Sequence, residues 1–320
     1  MDPFDSDEPD LDALAERLAD QDGQVRRVAA MALGEAADPA AIPLLAGALK
    51  DPDATVREAA AHALEAFTGD ADAVPALLDA LADPIEPVRL AALHTLVEMK
   101  AAAAGPTLLA RAGHDDPFVR AGVLLALKEL RLADSLPVAL AAIRDPDARV
   151  RRAATGVLGY LRAEAALLSL IQAAGDSDAE VRRAAVSALA FSGHPRVATS
   201  LIGALGDAQW QVRQEAAEAL SKLRLAGAVD ALIGALDDDY WQVRVKAAGA
   251  LGRIGDPKAL PALGAALGHS VSNLRKEAAA ALGEIGHADG AVYLRQAVED
   301  PDPDVRKLVR WALGKIGVAA

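Results

Sequence analysis

Apolar residues recur at helical spacing along almost the whole chain, in blocks separated by short turns. The clearest block covers residues 237–268, and its first half carries apolar residues on one face of a helix: Val243, Ala247, Ala250, Leu251 and Ile254. Gly255 follows at the position where a helix C-terminus favours a left-handed residue, and Asp256 and Pro257 then open a second helix. The buried side of that second helix carries three leucines: Leu260, Leu263 and Leu267. The pattern therefore predicts pairs of short helices.

The dipeptide Val-Arg marks the same position in each block. Its first residue is Val25, Val56, Val88, Val119, Val150, Val181, Val212, Val243 and Val305, with Leu274 in the ninth block. The spacing is 31 residues in every interval except one of 32, and the extra residue there falls in the turn around Phe67–Gly69. Ten blocks in register cover residues 11–317. Because two helices this short bury their apolar faces only when copies stack, we predict an all-α fold, an α-solenoid of about ten two-helix repeats forming a curved right-handed superhelix.

The framework residues of the repeat form a signature, Asp-x4-Val-Arg-x2-Ala-Ala-x-Ala-Leu-Gly-x-Ile-Gly-Asp. It is nearly intact in the first, eighth and ninth repeats. The chain resembles the HEAT-like repeat family first associated with phycobilisome lyases, and it is similar to artificial helical-repeat binders built on that consensus. The resemblance implies a solenoid in which the Val-Arg helices line a concave groove. Four middle repeats depart from the signature at one alanine position, as expected of a natural chain: Leu93, Leu124, Thr155 and Val186.

A second set of framework residues is charged. Aspartate stands five residues before the valine in eight repeats: Asp20, Asp51, Asp83, Asp145, Asp176, Asp207, Asp238 and Asp300. An acid there can accept backbone amides at a helix start, and the arginine of the Val-Arg pair can bind that acid or its counterpart in the adjoining repeat. We therefore predict a charged ladder along the repeats. His114 and His269 replace the aspartate in two repeats, where we expect Asp115 and Asn273 to supply the caps.

Outward-facing positions of the Val-Arg helices vary freely, and large aromatic and cationic residues collect there in repeats 5 to 8. Residues of these types dominate the binding energy of protein interfaces. We therefore predict that a partner binds at Arg149, Arg152, Tyr160, Arg183, Phe191, Trp210, Gln211, Gln214, Trp241, Gln242, Lys246 and Arg253. The alternative for Trp210 and Trp241 is burial in the seams between repeats.

The first four repeats are acidic at the same outward-facing positions. They carry Glu35, Glu58, Glu86, Glu98 and Glu129 against Arg27 alone. Repeats 5 and 6 instead carry Arg149, Arg152 and Arg183 against Glu180. A partner with one basic segment and one acidic or amphipathic segment would suit this layout.

Composition narrows the classes of function. Only 3% of the 320 residues are aromatic although 52% are hydrophobic, which suits thin helix–helix interfaces filled by small side chains. The net charge of −13 disfavours nucleic acid as a partner, and the lack of cysteine fits a reducing compartment. The longest stretch without charged residues, Ala259–Leu274, contains polar side chains and is too short to span a bilayer. We expect a cytoplasmic protein, monomeric by itself, with no nucleic-acid or membrane partner.

The sequence predicts three parts in the chain. Residues 1–10 are acidic, contain two prolines and lack apolar partners, which predicts a disordered N-terminal tail. Residues 11–317 form a single solenoid domain, and residues 318–320 form a short C-terminal tail.

Catalytic and cofactor-binding motifs are missing from the sequence. The paired His-Glu dipeptides of HEAT-like di-iron hydroxylases are absent, and so is a Gly-x-Gly-x-x-Gly or phosphate-binding loop. His62 and His94 share one groove position in adjacent repeats, with Glu58 and Glu98 nearby, but the pattern fixes no third metal ligand. We therefore predict no metal and no cofactor.

The favoured interpretation is a non-enzymatic scaffold or adaptor that binds a partner protein or peptide in its concave groove. A bilin lyase-like or other cofactor-handling accessory subunit is the alternative, with Tyr160, Arg152 and Arg183 placed to hold a tetrapyrrole. An engineered repeat-protein binder is a further alternative.

Overall fold

The computed structural model describes residues 10–318, which form α-helices and short 3₁₀ segments joined by turns, with no β-strand in that range. Residues 1–9 and 319–320, nearly all of the two predicted tails, lie outside the described residues. Asp10 caps the first helix, because its carboxylate accepts hydrogen bonds from the backbone amides of Asp12 and Ala13 at 3.0 and 3.3 Å.

The chain divides into two compact units, the first ending at Leu161 and the second beginning at Arg162. The described part of the first unit contains α1 (Leu11–Leu18), α2 (Gly23–Ala36), α3 (Ile42–Ala48), α4 (Ala54–Ala63), α5 (Val74–Ala80), α6 (Glu86–Glu98), α7 (Gly105–Arg111), α8 (Pro117–Leu130), α9 (Leu136–Ala142) and α10 (Ala148–Leu161). Its 3₁₀ segments are Pro39–Ala41, Leu64–Phe67, Ala71–Ala73, Ala102–Ala104 and Ala133–Ser135. That residues 11–317 act as one domain stays a prediction.

The second unit repeats the same alternation of short and long helices. Its described part contains α11 (Leu167–Ala173), α12 (Ala179–Leu189), α13 (Pro195–Ala204), α14 (Trp210–Leu223), α15 (Val229–Gly234), α16 (Trp241–Ile254), α17 (Leu260–Ala266), α18 (Ser272–Ile285), α19 (Gly290–Leu294) and α20 (Pro303–Ile316). Its 3₁₀ segments are Glu164–Ala166, Ala226–Ala228, Ala235–Asp237, Pro257–Ala259 and Arg295–Ala297.

The even-numbered helices carry the Val-Arg pairs and are called the Val-Arg helices below. Within each unit, every Val-Arg helix packs against the next one and against a neighbouring short helix. The leucine eight residues after the Val-Arg valine, or after Leu274, is fully buried in all ten repeats: Leu33, Leu64, Leu96, Leu127, Leu158, Leu189, Leu220, Leu251, Leu282 and Leu313. Because each repeat buries its core against its neighbours, the fold is an α-solenoid, as predicted. The hand of the superhelix stays a prediction.

The turns after the Val-Arg helices use left-handed residues at several C-termini. Gly255 ends α16 with a φ of 80°, at the position where the sequence predicts such a residue. Ala37, Arg131 and Arg224 adopt the same conformation without being glycine, with φ values of 52°, 58° and 48°. The irregular 32-residue interval is absorbed differently, because α4 ends early at Ala63 and continues as a 3₁₀ turn.

The predicted charged ladder is present. In six pairs the arginine Nε and Nη2 donate to both carboxylate oxygens of an aspartate in the next repeat, at 2.5–3.0 Å: Arg26–Asp51, Arg57–Asp83, Arg120–Asp145, Arg182–Asp207, Arg213–Asp238 and Arg275–Asp300. The Nη1 of each arginine donates to backbone carbonyls of the turn before its own helix. Each pair therefore ties two successive Val-Arg helices together at their N-terminal ends.

The ladder aspartate is not the helix cap that the sequence suggests. Asp51 Oδ1 accepts the backbone amide of Asp53 at 2.8 Å, and it is Asp53 that caps α4 by accepting the amide of Thr55 at 2.8 Å. The same cap, three residues before the valine, is present at Asp22, Asp116, Asp147, Asp178 and Asp302. The repeat therefore uses two aspartates, one for the turn and the ladder and one for the helix.

His114 and His269, the two histidines that interrupt the ladder, themselves replace the missing aspartates. His114 Nδ1 accepts the amide of Asp116 at 3.1 Å, and His269 Nδ1 accepts the amide of Val271 at 2.9 Å, so each ring replaces the aspartate in the turn. Asp115 and Asn273, the expected substitutes, do not take this part. Asp116 also binds Arg89 Nη2 at 3.0 Å, whereas Nε of Arg89 is buried without a partner.

Candidate partner-binding surfaces

The Val-Arg helices expose one side to solvent within each unit, and this side is called the Val-Arg face below. Several large apolar side chains are exposed on it: Val28, Met31, Leu90, Tyr160, Trp241 and Trp311. The residues that the sequence predicts for partner binding fall into three groups on or beside this face, an aromatic cluster, a set of cations and a set of carboxylates.

The aromatic cluster comprises Trp210, Arg213, Tyr240 and Trp241 in the second unit. Trp210 and Trp241 are the first residues of α14 and α16, and Tyr240 is the residue before α16. The rings of Trp210 and Tyr240 stack with centroids 5.4 Å apart and planes 12° from parallel. The Arg213 guanidinium lies 5.7 Å from the centre of the Tyr240 ring. The cluster thus spans two successive repeats through an aromatic stack.

The two tryptophans differ in burial. Trp210 is half-buried because Tyr240 covers it, which is the seam position considered as the alternative. Trp241 is 41% exposed and Tyr240 is 45% exposed. Tyr240 was not among the predicted binding residues. A tyrosine three residues before the Val-Arg valine is nevertheless unusual, since most repeats carry aspartate at that position.

Unsatisfied polar atoms lie close to the cluster in sequence. Gln242 Oε1 and Arg244 Nε are buried without a hydrogen-bond partner, and both belong to the first turn of α16. Arg244 loses its ladder partner because His269 stands at the aspartate position. The predicted residues Gln211 and Gln214 lie on α14, Gln211 exposed and Gln214 half-buried. A buried hydrogen-bond donor or acceptor without a partner lowers the stability of the fold.

Most of the predicted cations already bind a carboxylate. Arg149 bonds both oxygens of Asp147 at 3.0 and 2.7 Å, and these hydrogen bonds lower the pKa of Asp147 to about 2. Arg183 binds Glu180 at 2.7 Å. Arg152 and Arg253, both exposed, form no direct ion pair with a described residue. The basic character expected of repeats 5 and 6 is therefore largely neutralised.

A small polar cavity of about 150 Å³ brings Lys246 and Arg253 together with two acids in the second unit. Lys246 Nζ lies 3.0 Å from Glu218, and this hydrogen bond, together with that of Lys222, lowers the pKa of the Glu218 carboxyl. Burial raises the pKa of Glu277 on the other side of the cavity, and the charge of Glu284 raises it further. Neither Glu218 nor Glu277 is among the residues predicted from the sequence, although both occupy outward positions of the repeat.

Two predicted aromatic residues have separate surroundings. Tyr160 is exposed near the end of α10 in the first unit, with the Arg131 guanidinium 5.2 Å from its ring centre. Phe191 lies in the turn after α12, because that helix ends at Leu189 and is shorter than most of the other Val-Arg helices. It lines a cavity of about 400 Å³ with His194 and other residues of the second unit. Phe191 therefore does not lie on the Val-Arg helix to which the repeat pattern assigns it.

The predicted acidic residues lie in different surroundings. Glu35 and Glu58 line a cavity of about 520 Å³ between α2 and α4, together with Arg27, Met31 and His62. Glu86 lies in the first turn of α6, where a negative charge favours the helix dipole, and Glu98 is the last residue of that helix. Glu129 contacts Lys128 at 2.9 Å. Only the first pair is brought together around a cavity.

The histidine pair considered for metal binding is not closed by further ligands. His94 Nε2 lies 3.6 Å from Glu65 Oε1, whereas His62 faces the cavity between α2 and α4. Across residues 10–318, no three histidine, aspartate or glutamate side chains converge as a metal site would require. None of the helices described is long and apolar enough to cross a lipid bilayer.

The family model described as HEAT repeats matches the chain five times, at residues 11–96, 74–159, 136–221, 200–280 and 265–320. The matches overlap and together cover everything from Leu11 onward. The chain belongs to the HEAT-repeat family. For this HEAT-repeat protein, a search of curated proteins returned no match.

Solved structures share the solenoid fold of this HEAT-repeat protein at low sequence identity. An engineered protein is 20% identical with a TM-score of 0.54, and the match covers 97% of this chain and 99% of that one. YibA of Escherichia coli is also 20% identical, with a TM-score of 0.61 and coverage of 75% and 91%. Kap95p, in a structure of its binding to RanGDP, is 17% identical with a TM-score of 0.63. The match covers 96% of this HEAT-repeat protein and 50% of Kap95p.

Proposed function

We propose that this HEAT-repeat chain is a non-enzymatic scaffold that binds a partner protein or peptide through its Val-Arg face, with the aromatic cluster as the main contact. The observation that carries the proposal is the exposure of Tyr240 and Trp241 beside the Trp210 stack. Large aromatic side chains supply much of the binding energy in protein interfaces and are costly to leave in water.

The local cost of the cluster favours a function over a framework role. Six Val-Arg helices place a capping aspartate where α16 has Tyr240, and α16 has no side-chain cap. The first turn of α16 also leaves Gln242 Oε1 buried without a hydrogen-bond partner. Sites that break local rules in this way are more often functional than structural.

The fold itself is compatible with such a role. Kap95p has a similar solenoid and binds RanGDP. One scaffold hosts many functions, so the likeness supports protein binding in general and names no partner. In the proposed arrangement the Val-Arg face is the concave side of a monomeric solenoid.

Affinity capture with the wild-type chain and with Trp241→Ala tests the proposal. A partner that the wild type captures would be purified, and its dissociation constant measured by calorimetry for both chains. We expect Trp241→Ala to weaken binding by more than about tenfold, since buried interface aromatics contribute at least 1–2 kcal/mol. Trp311→Ala is the matched control, because Trp311 is similarly exposed on α20 outside the cluster.

The outcome that contradicts the proposal is equally definite. If the purified partner binds Trp241→Ala and a Tyr240→Ala Trp241→Ala double variant as tightly as wild type, the aromatic cluster is not its contact. Circular dichroism of each variant would show that helicity is retained. A visible absorbance band in the captured material would instead favour the cofactor-handling alternative.

A further inference from the structure

The cavity between α2 and α4 in the first unit owes its space to small side chains. A Cβ atom added to Gly34 would come within 2.8 Å of Ala63 Cα, so the two helices touch there at backbone distance. Beyond this contact the cavity is lined by Ala59 and other small residues and has a volume of about 520 Å³. Pockets of this size accept a large side chain or a small ligand.

The apolar part of this cavity is exposed to solvent. Met31 is 46% exposed at its edge, and Val28 is exposed on the same helix. Methionine is flexible and polarisable, so it adapts to the shape of an apolar group laid over it. An exposed apolar surface next to a cavity is a typical feature of a binding site.

The charges around the cavity are unbalanced. Glu35 and Glu58 line it, and neither forms an ion pair with a described residue. Arg27 is the only arginine or lysine in the lining, and its Nε donates to Gln24 Oε1 at 3.2 Å. Three other exposed cations differ in this respect, because Arg149 in the same unit and Arg183 and Lys246 in the second unit each have a carboxylate partner. Unpaired carboxylates beside apolar surface are complementary to a cation that carries an apolar neighbour.

We propose that this cavity binds a partner segment that places one large apolar side chain over Met31 and a lysine or arginine next to it, between Glu35 and Glu58. The ligand class is thus an amphipathic basic peptide. The inference rests on the proposed function for the idea of a protein partner, but it concerns a different unit from the aromatic cluster. The two sites can therefore fail separately.

The probe for the test is a fluorescein-labelled 18-residue peptide of leucine and lysine at amphipathic helical spacing, with a leucine–glutamate peptide of the same pattern as charge control. Binding is measured by fluorescence anisotropy at physiological salt, which screens long-range attraction to the acidic chain. We expect Glu35→Gln combined with Glu58→Gln to weaken binding of the leucine–lysine peptide by about tenfold. Glu86→Gln combined with Glu129→Gln removes the same charge from the same unit, outside the cavity, and should change binding less than about twofold.

A methyl NMR spectrum locates the peptide. The chain has three methionines, and Met99 is buried whereas Met31 lines the cavity. With methionine methyl groups labelled by ¹³C, the Met31 resonance should shift on peptide addition and the Met99 resonance should stay in place. Ala59→Leu fills part of the cavity and should reduce the Met31 shift and the affinity together. Retained helicity of each variant would be checked by circular dichroism.

Three results would overturn the proposal: equal affinity for the leucine–lysine and leucine–glutamate peptides, equal weakening by both double glutamine variants, or an unmoved Met31 resonance at saturation. Trp241→Ala should bind the leucine–lysine peptide as wild type does. If Trp241→Ala binds both the peptide and the captured partner as wild type does, the aromatic cluster is not the main contact, but the proposed cavity site still stands. If the peptide result fails while Trp241→Ala loses the partner, only the cavity is wrong.

Discussion

Arg182 binds Asp207 through two parallel hydrogen bonds, Nε to Oδ2 at 2.7 Å and Nη2 to Oδ1 at 2.9 Å. The same arginine donates through Nη1 to the carbonyl of Asp176 at 2.9 Å, and Asp207 accepts the amide of Gln209 at 2.8 Å. One side chain therefore connects the turn before its own helix to the turn before the next Val-Arg helix. The short repeat thus gains a directional polar contact in addition to its apolar seam.

Replacing this aspartate tests how much the ladder stabilises the fold. Asp207→Asn keeps the shape but removes the charge and one acceptor from a half-buried arginine, which we expect to cost about 1–3 kcal/mol. The readout is the urea midpoint of the whole chain, followed by circular dichroism. Asp134→Asn, at an exposed position of the 3₁₀ segment Ala133–Ser135, is the control and should leave the midpoint unchanged. Equal midpoints for both variants would show that the ladder contributes little.

The ladder also predicts a dependence of stability on pH. The hydrogen bonds of Arg182 lower the pKa of Asp207 below its ordinary value of 3.8, and Arg26 and Arg275 do the same for Asp51 and Asp300. A carboxyl whose pKa is lower in the folded state stabilises the fold fully above its unfolded pKa and loses that contribution as the pH falls through the folded pKa. We expect the urea midpoint to be constant from pH 7 to about 5 and to fall below about pH 4. A midpoint that is the same at pH 5 and pH 3 would contradict this.

The apolar framework could be predicted from the sequence because apolar residues recur at the same positions in all ten repeats. The valine and the leucine eight residues later recur in every repeat, apart from Leu274 in place of one valine, and each leucine is fully buried. Helix pairs, their stacking and the left-handed Gly255 follow from that period. The family assignment follows from the same framework residues.

The charged surface could not be predicted in the same way. Arg149 and Arg183 stand at outward positions, but each bends back to an acid two or three residues earlier on its own helix or cap. Such pairing depends on rotamers, which the repeat pattern does not specify. Phe191 shows a related difficulty, since α12 ends at Leu189 and the pattern alone does not mark where an individual helix stops. The cavity beside Met31 depends on the close backbone contact of Gly34 with Ala63, and the repeat pattern does not specify how closely two stacked helices approach.

The gap in the ladder at His269 offers a gain in stability. Arg244 donates only to the carbonyl of Asp238, at 2.9 Å, among the hydrogen bonds of the described residues, and its Nε is buried without a partner. His269→Asp restores the residue found at this position in eight repeats, and we expect a stabilisation of about 1 kcal/mol. His114→Asp is the matched comparison and should stabilise less, because Arg89 already binds Asp116 through Nη2, although its Nε is unpaired like that of Arg244. Thermal unfolding of both variants against wild type is the measurement, and an equal rise for the two would contradict the ladder as its cause.

Substitutions at the residues before α14 and α16 can distinguish an effect on stability from an effect on partner binding. Gln209 and Tyr240 both occupy the N-cap position, and neither side chain caps its helix. Gln209→Asp should stabilise the chain by about 1 kcal/mol through a new cap and leave partner binding intact. Tyr240→Asp gains the same cap but loses the stack on Trp210, worth about 0.5–1.5 kcal/mol, so its stability should stay near that of wild type while partner binding falls by more than about tenfold. Thermal unfolding and calorimetry with the captured partner measure the two effects on the same samples. If Tyr240→Asp instead binds as wild type does and gains as much stability as Gln209→Asp, the tyrosine contributes neither to the seam nor to recognition, and its exposed ring is incidental.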